Sequence, residues 1–280
     1  MKLINQSFEI IQQEDFTLRG IKKFIERCAR VCYKSEDQIT DTSYDKFVDM
    51  LISKDHSRCL EFGTVHLKLS ISDFHDLRNI LGINKIWNNQ WVGYIYVGDK
   101  TYITTNYRYF LDIIKIYPEI GDFFTEEDNN YFPKRYTVHF ILNRAIMDEF
   151  RTHVGLSHLA ESSRYCNYSK GKFNNELTFI KPSWYNGAIN PEDQTLKDPK
   201  SEIFTVNCMD AEEVYLDMIK HEATPQQARE VLPLSIKSEL ISCGFKDAWQ
   251  NFFYRRCAPS AHPMAREIAI PLKEKFTTLT

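Results

Sequence analysis

Residues 151–169 read Arg-Thr-His-Val-Gly-Leu-Ser-His-Leu-Ala-Glu-Ser-Ser-Arg-Tyr-Cys-Asn-Tyr-Ser. The pattern predicts a helix that gives way to a polar loop within this segment. A helix end leaves backbone groups unpaired, and hydroxyl groups with a guanidinium beside it match the geometry of phosphate or carboxylate. Such a cluster is formed by Ser162, Ser163, Arg164 and Tyr165. It predicts either an anion site or an ordinary solvated cap.

The composition of the 280-residue chain predicts a folded protein with a substantial core. Apolar residues make up 43% and aromatic residues 14% of the sequence, which is ample for one large domain. A formal net charge of −3 argues against a general polyanion-binding surface, so a small nucleotide is favoured over a nucleic acid. The sequence has no internal repeat and no convincing linker, and we expect residues 1–280 to form a single domain.

Cysteine usage and hydropathy predict a cytoplasmic protein. The seven cysteines form no paired Cys-x-x-Cys set, and the N-terminus lacks the apolar core of an export signal. Cys28 and Cys32 are four residues apart, but no further cysteine or histidine lies at ligand spacing, so we expect core packing and no metal. No apolar run reaches the ~18 residues of a membrane span.

Hydrophobic periodicity predicts both helices and strands. Helices are predicted over residues 17–32, 43–53 and 108–117, and strands over residues 64–69, 101–105, 136–142 and 177–180. The chain after residue 199 is predicted to be mainly helical, with a helix start at Thr224 and with Pro233 and Pro271 ending or kinking helices. No Gly-rich phosphate loop is present, so a conventional dinucleotide fold is not expected.

Three further segments accompany residues 151–169. Residues 54–69 carry His56 and Glu61 in a polar turn before a strand, and the segments Ala-Arg-Glu-Val-Leu-Pro-Leu and Asn-Phe-Phe-Tyr-Arg-Arg-Cys place Arg229 and Arg256 in consecutive helical stretches. In their order and spacing, the four segments resemble the flavin-dependent thymidylate synthases over residues 28–275. The resemblance implies an α/β fold with a twisted, largely antiparallel sheet flanked by helices.

The signature of that family reads Arg-His-Arg, seven residues, then Ser. The register set by Ser162 places Thr152-His153-Val154 at this position, so both arginines are absent. Arg151 lies one residue upstream, but one step along a helix turns a side chain by roughly 100°, so it cannot replace a neighbour. His158 matches no motif position and is expected on the same helix as His153, on another face. Further departures are Phe62, Leu159 and Ala160.

The resemblance also implies a set of site residues. Arg256 is implied as the catalytic residue that activates the uracil ring, and it also belongs to the substrate-binding set. The other implied substrate-binding residues are Glu149, Ser162, Ser163, Arg164 and, from a neighbouring subunit, Arg229. The implied FAD-binding residues are His56, Glu61, His153 and Asn251. The same side chains also suit plain roles, namely surface salt bridges, a solvated helical carboxylate and structural histidines.

The implied reaction transfers a one-carbon unit from methylenetetrahydrofolate to C5 of dUMP, with reduced FAD as hydride donor and NADPH as reductant of FAD, and gives dTMP. The implied assembly is a homotetramer with shared active sites. The sequence has no Pro-Cys-His tripeptide, and Cys166 and Cys257 lack an adjacent base, so a cysteine nucleophile is not expected. Two alternatives remain: an enzyme that modifies C5 of another pyrimidine nucleotide, and a non-catalytic nucleotide-binding paralogue that has lost flavin.

Overall fold

A computed structural model describes residues 1–81, 90–164, 166–192 and 194–279 of the chain, so Tyr165 of the predicted anion cluster lies outside the described residues. The helices are α1 (Leu18–Tyr33), α2 (Ser43–Ser53), α3 (Ile71–Leu81), α4 (Tyr107–Ile114), α5 (Arg144–Phe150), α6 (Pro199–Lys220), α7 (Pro225–Ala228), α8 (Lys246–Arg256) and α9 (Pro263–Thr278). The strands are β1 (Lys2–Ile4), β2 (Ser7–Ile11), β3 (Thr64–Ser70), β4 (Gly93–Val97), β5 (Lys100–Asn106), β6 (Phe124–Thr125), β7 (Arg135–Asn143), β8 (Ser157–Ala160), β9 (Thr178–Ile180) and β10 (Lys237–Phe245).

The strands of the described residues form two antiparallel sheets and one parallel pair. One sheet has the order β4-β5-β3-β6 and the other the order β2-β7-β10-β8, whereas β1 pairs with β9 in parallel. The prediction of an α/β fold with largely antiparallel strands flanked by helices is confirmed, with the strands divided between sheets.

The first sheet packs against α3 and α4 and shares a hydrophobic cluster with α1 and α2. Ile21 and Ile25 lie on the apolar face that the periodicity of α1 predicts, and both are completely buried. They belong to the same hydrophobic cluster as Val65 and Leu67 of β3. The N-terminus of α1 is capped by Thr17, whose hydroxyl accepts a hydrogen bond from the backbone N–H of Gly20 at 3.0 Å. Burial of each such aliphatic side chain contributes about 1.5–3 kcal/mol, which explains why the amphipathic pattern located these elements.

The second sheet packs against α8 and α9 through aromatic side chains. Phe140 of β7 belongs to one buried cluster with Trp249 and Phe252 of α8. Trp249 Nε1 also donates a hydrogen bond to the carbonyl oxygen of Tyr136 at 3.0 Å. These contacts fix the position of α8 on the sheet, and α8 ends at Arg256.

The prediction that the chain after residue 199 is mainly helical was wrong at β10. This strand pairs with β7 from Lys237 opposite Asn143 to Phe245 opposite Arg135, and with β8 on its other side. Residues 238–244 are all buried, so the sequence lacks the alternation of apolar and polar residues that a strand with one solvent-exposed face shows. Arg229 lies in a short 3-10 turn before β10, so the prediction that Arg229 and Arg256 lie in consecutive helical stretches was wrong. Pro233 follows this turn.

The prediction that His153 and His158 share a helix was also wrong. Helix α5 ends at Phe150, His153 lies in the turn that follows, and His158 lies in β8. Gly155 between them has a φ of +95°, a conformation that L side chains rarely adopt and that a helix cannot contain. Pro271 lies inside α9, which continues past it.

The cysteines and the apolar segments agree with a packed interior. Cys28 is completely buried in the first cluster and Cys32 is packed against it, as predicted. All seven cysteines have free thiols. No helix among the described residues is long and apolar enough to cross a membrane. The same residues contain no group of three or more candidate His, Cys, Asp or Glu ligands for a metal ion.

Candidate active site

The guanidinium of Arg256 reaches from the end of α8 to the end of α5. Its Nε donates to His153 Nε2 at 2.7 Å, and its Nη1 donates to Glu149 Oε2 at 2.6 Å. Its Nη2 donates to the carbonyl oxygen of Glu149 at 2.6 Å and to Thr152 Oγ1 at 3.3 Å. Because a guanidinium carries five N–H donors, these four contacts leave one donor for a ligand.

The surroundings of Arg256 favour a fixed positive charge. The side chains of Arg256 and Glu149 are 17% and 36% exposed, so their ion pair is only partly screened by water. The carbonyl of Glu149 belongs to the last turn of α5, where the helix dipole favours a cation. Burial lowers the pKa of Arg256 from its ordinary value and Glu149 opposes this, but a guanidinium remains charged at neutral pH.

His153 is a neutral acceptor for Arg256. Its side chain lies in the interior, and burial, followed by the charge of Arg256, lowers the pKa of His153 to about 4. Since Nε2 accepts a hydrogen bond from Arg256, the proton of the neutral ring is assigned to Nδ1. His158 supports the same turn, because its Nε2 lies 3.2 Å from the carbonyl oxygen of His153 and its Nδ1 lies 2.9 Å from Ser242 Oγ. Burial also lowers the pKa of His158 to about 4.

A cleft of about 620 Å³ opens beside this cluster. Its wall contains Glu149, Tyr254, Arg255 and Arg256, and the loop of residues 258–262 closes one side. Sites for small molecules generally measure ~300–1,000 Å³. The cleft is therefore large enough for a nucleotide base and presents a fixed guanidinium in its wall.

Ser163 and Arg229 line a second cavity of about 250 Å³. We call it the phosphate cavity. Arg144 and Lys237 add positive charge to its wall, whereas Glu161 and Glu230 add negative charge. The three arginine and lysine side chains with the serine hydroxyl supply the donors that a phosphate group needs.

Neighbouring elements hold the loop that carries Ser163. The backbone N–H of Ser162 donates to the carbonyl oxygen of Cys32 at the end of α1, at 3.1 Å. Arg164 Nε donates to Gln226 Oε1 of α7 at 2.9 Å. Helix α7 begins with the predicted cap, because the backbone N–H of Thr224 donates to Gln227 Oε1 at 2.9 Å.

The implied flavin-binding residues do not share one cavity among the described residues. The buried carboxylate of Glu61 accepts from Arg108 Nη1 at 2.6 Å and from Ser157 Oγ at 2.5 Å. His56 lies on the surface, and its Nδ1 is 2.5 Å from the hydroxyl of Tyr33. Asn251 lines a third, more apolar cavity of about 650 Å³ between β4 and α8. His56, Glu61 and His153 are not among the residues that line this cavity.

The two thiols near the site are poor nucleophiles. Burial raises the pKa of Cys166 to about 12, and burial also raises the pKa of Cys257 above its ordinary value. A thiol acts as a nucleophile in its deprotonated form, so neither is activated at neutral pH.

A family model described as thymidylate synthase complementing protein matches residues 134–280, just over half of the chain. The chain belongs to this family. Its members are the flavin-dependent thymidylate synthases, so membership supports C5 methylation of a uracil nucleotide. The matched segment contains the Arg256 cluster and the phosphate cavity, whereas His56 and Glu61 precede it.

Two crystal structures of a UMP/dUMP methylase PolB from Streptomyces cacaoi are similar to this member of the thymidylate synthase complementing family. The structure bound with 5-Br UMP has 13% sequence identity and a TM-score of 0.46, and the match covers 100% of this chain and 92% of that chain. The structure bound with 5-Br dUMP has 14% identity and a TM-score of 0.45, with coverage of 100% and 93%. A comparison with curated protein sequences gives no significant match.

The structure groups the site residues that the family resemblance implies. Arg256 contacts both Glu149 and His153 directly. Ser163 and Arg229 line one cavity within a single copy of the chain. Their functional roles stay predictions, as does the role of Arg229 across a subunit boundary.

Two residues of these sites were not predicted from the sequence. Thr152 occupies the position of a signature arginine, yet its hydroxyl accepts from Arg256 and donates to the carbonyl oxygen of Glu149 at 2.7 Å. The spacing of three residues between Glu149 and Thr152 was the available signal for this contact. Lys237 gave no comparable signal, because the strand that it begins was not recognised.

Proposed function

We propose that this protein is a flavin-dependent thymidylate synthase that transfers a one-carbon unit from methylenetetrahydrofolate to C5 of dUMP and forms dTMP. Arg256 carries the proposal. Its guanidinium is fixed by Glu149 and by Thr152 and His153 of the signature, and Arg256 lines a cleft of about 620 Å³. NADPH as reductant, a homotetrameric assembly, a single domain over residues 1–280 and a cytoplasmic location belong to the same proposal.

The phosphate of dUMP would bind in the phosphate cavity. Ser163 and Arg229 would donate to its oxygens, with Ser162 and Arg164 on the same loop. Charge-assisted hydrogen bonds of this kind contribute about 1.5–3 kcal/mol each. Binding at the phosphate leaves the uracil ring to be oriented by other groups.

Arg256 would act on the uracil ring. C5 of uracil becomes nucleophilic when negative charge develops in the ring, and a fixed guanidinium donating to a ring oxygen stabilises that charge. Glu149, His153 and Thr152 would hold Arg256 in position, so little reorganisation is needed during the reaction. Because the nearby thiols are protonated at neutral pH, this electrostatic mechanism is favoured over covalent attack by cysteine.

FAD, when bound, would supply the hydride that completes the methyl group. Asn251 fits this role, because it lines a cavity of about 650 Å³ whose lining is mostly apolar and also includes Lys134, Lys246 and Asp247. His56 is exposed and would be available to flavin in a neighbouring copy of the chain. Glu61 and His153 have hydrogen-bonding partners within the chain and would position the residues around the flavin.

Tritium release from C5-labelled dUMP tests the proposed function. The purified protein with FAD, NADPH and methylenetetrahydrofolate should release tritium and form dTMP, and release should stop when the folate is omitted. Cys257→Ser should retain activity. Arg151→Ala is the matched control for Arg256→Ala, because Arg151 is 45% exposed and pairs only with Asp148 at 3.1 Å among the described residues. Activity that survives Arg256→Ala but not Cys257→Ser would replace this mechanism with a thiol mechanism.

A further inference from the structure

Four lysines line a cavity of about 270 Å³ beside the phosphate cavity. We call it the lysine cavity and define it by Lys2, Lys34, Lys172 and Lys237. None of the described residues in its wall is acidic. At ~30 Å³ for each water molecule, its volume corresponds to about nine waters, so it is large enough for one or two phosphate groups.

The lysine cavity has positive charge that its surroundings do not fully balance. The side chains of Lys34 and Lys237 are only 9% and 14% exposed. Both pair with Glu239, which Lys34 contacts at 2.6 Å, and Lys237 also pairs with Glu161 at 2.9 Å. Burial by itself lowers the pKa of Lys34, but Glu239 and Glu161 raise it above its ordinary value, so the ammonium stays charged.

The carboxylates that pair with these lysines are not among the residues that line the lysine cavity, and one of them, Glu161, lines the phosphate cavity instead. They are Glu36, Glu161 and Glu239, three acidic groups against four ammonium groups. Among the described residues, no carboxylate lies within 4.0 Å of Lys2 Nζ. One positive charge is therefore in excess, and the described lining of the cavity includes the four lysines but no carboxylate. An anion with several oxygen atoms fits this arrangement.

The lysine cavity adjoins the phosphate cavity. Tyr168 and Lys237 contribute to the walls of both, and the hydroxyl of Tyr168 is held by Glu161 at 3.4 Å. We propose that the lysine cavity binds the terminal phosphate groups of a uracil deoxynucleoside di- or triphosphate whose first phosphate lies at Ser163 and Arg229. This substrate class rests on the proposed function. It extends that function from the monophosphate to longer phosphate chains.

A phosphate chain fits this connection better than other anions. It begins at the 5′-phosphate itself, and Tyr168 and Lys237 border both cavities. The glutamate tail of a folate also carries carboxylates, but it has no covalent link to the group in the phosphate cavity. Competition between the two kinds of anion distinguishes them.

Calorimetry with dUMP, dUDP and pyrophosphate tests the proposal. The variant should carry Lys2→Ala and Lys172→Ala, because these side chains are the more exposed of the four. Replacement of Lys34 or Lys237 would leave buried carboxylates without their partners and would destabilise the protein. Lys115→Ala is the control, because Lys115 lies beyond the end of α4 and its side chain is 74% exposed.

The wild-type protein should bind dUDP at least about tenfold more tightly than dUMP, the lower limit for one added charge-assisted hydrogen bond. The double variant should lose this advantage and keep its affinity for dUMP. Equal affinity for dUMP and dUDP in the wild type, or equal losses for both in the variant, would overturn the proposal. So would displacement of pyrophosphate by a polyglutamylated folate but not by dUDP. A third outcome is that pyrophosphate binds and the double variant loses this binding, while the wild type neither binds dUMP nor releases tritium. This outcome would support an anion site in the lysine cavity and reject the proposed function.

Discussion

Replacement of Arg256 should separate substrate binding from catalysis in this protein. The guanidinium contacts Glu149, His153 and Thr152, and the remaining N–H donor is the one that we propose for the uracil ring. The proposed phosphate ligands Ser163 and Arg229 line another cavity. Arg256→Ala should therefore impair the reaction more than it impairs the binding of dUMP.

The expected magnitudes follow from the contacts that are lost. Loss of one preorganised donor to a developing negative charge lowers kcat by about 10²–10³-fold. The Kd for dUMP should rise by less than about tenfold, because the phosphate contacts remain. In the folded protein, His153 Nε2 would lose its donor in a buried position, which costs about 1–3 kcal/mol, whereas the partly exposed ion pair with Glu149 contributes at most ~1 kcal/mol.

Three measurements on each variant separate these effects. Tritium release gives kcat and KM, calorimetry gives the Kd for dUMP, and thermal unfolding gives Tm, which should fall by about 2–4 °C for each kcal/mol lost. Arg256→Lys should be as inactive as Arg256→Ala, since an ammonium cannot reproduce the planar fork that contacts Glu149 and His153 together. Arg151→Ala should leave all three quantities near the wild-type values.

Two results would refute this reasoning. If Arg256→Ala weakened dUMP binding by the same factor as it lowered kcat/KM, with kcat unchanged, Arg256 would be an ordinary binding residue. If Arg256→Lys retained most of the activity, a simple positive charge would suffice and the fixed fork would be irrelevant to catalysis.

The remaining predictions concern the phosphate loop, the signature and pH. Arg164→Ala should weaken dUMP binding by about 10- to 150-fold in calorimetry, and an unchanged Kd would remove Arg164 from the site. The purified protein should hold FAD only partly after dialysis, and Val154→Arg should raise the ratio of flavin to protein absorbance because Val154 is 80% exposed. Thr152→Arg added to Val154→Arg should raise this ratio by less than Val154→Arg does alone, since Thr152 contacts the guanidinium of Arg256 and a second cation there would be repelled. The folded pKa values of His153 and His158 are about 4, below the unfolded value of ~6.5, so the unfolded chain binds more protons and the free energy of unfolding should fall as pH drops from 6.5 toward 4. Urea denaturation at pH 7 and pH 5 measures this change, and equal stability at both would contradict it.

Much of the fold was predictable because local patterns determine it. The period of α1 appears in the structure as it appears in the sequence, since this helix buries one face. The alternation of β3 appears only in its second half, because Thr64 and His66 are buried as well as Val65 and Leu67. The cap at Thr224 was predictable for the same local reason. β10 was not predictable by alternation, because β7 and β8 flank it and it is buried on both faces.

The sequence by itself determined which residue types the site contains, through the order and spacing that resemble the family. It also determined that the signature arginines are replaced by Thr152 and Val154. Only the tertiary structure decided that Arg256 contacts His153 and Glu149, which precede it by 103 and 107 residues. The physical reason is that such contacts depend on where β10 and α8 pack against the sheet, and this packing is set by burial across the whole fold and not by any local period.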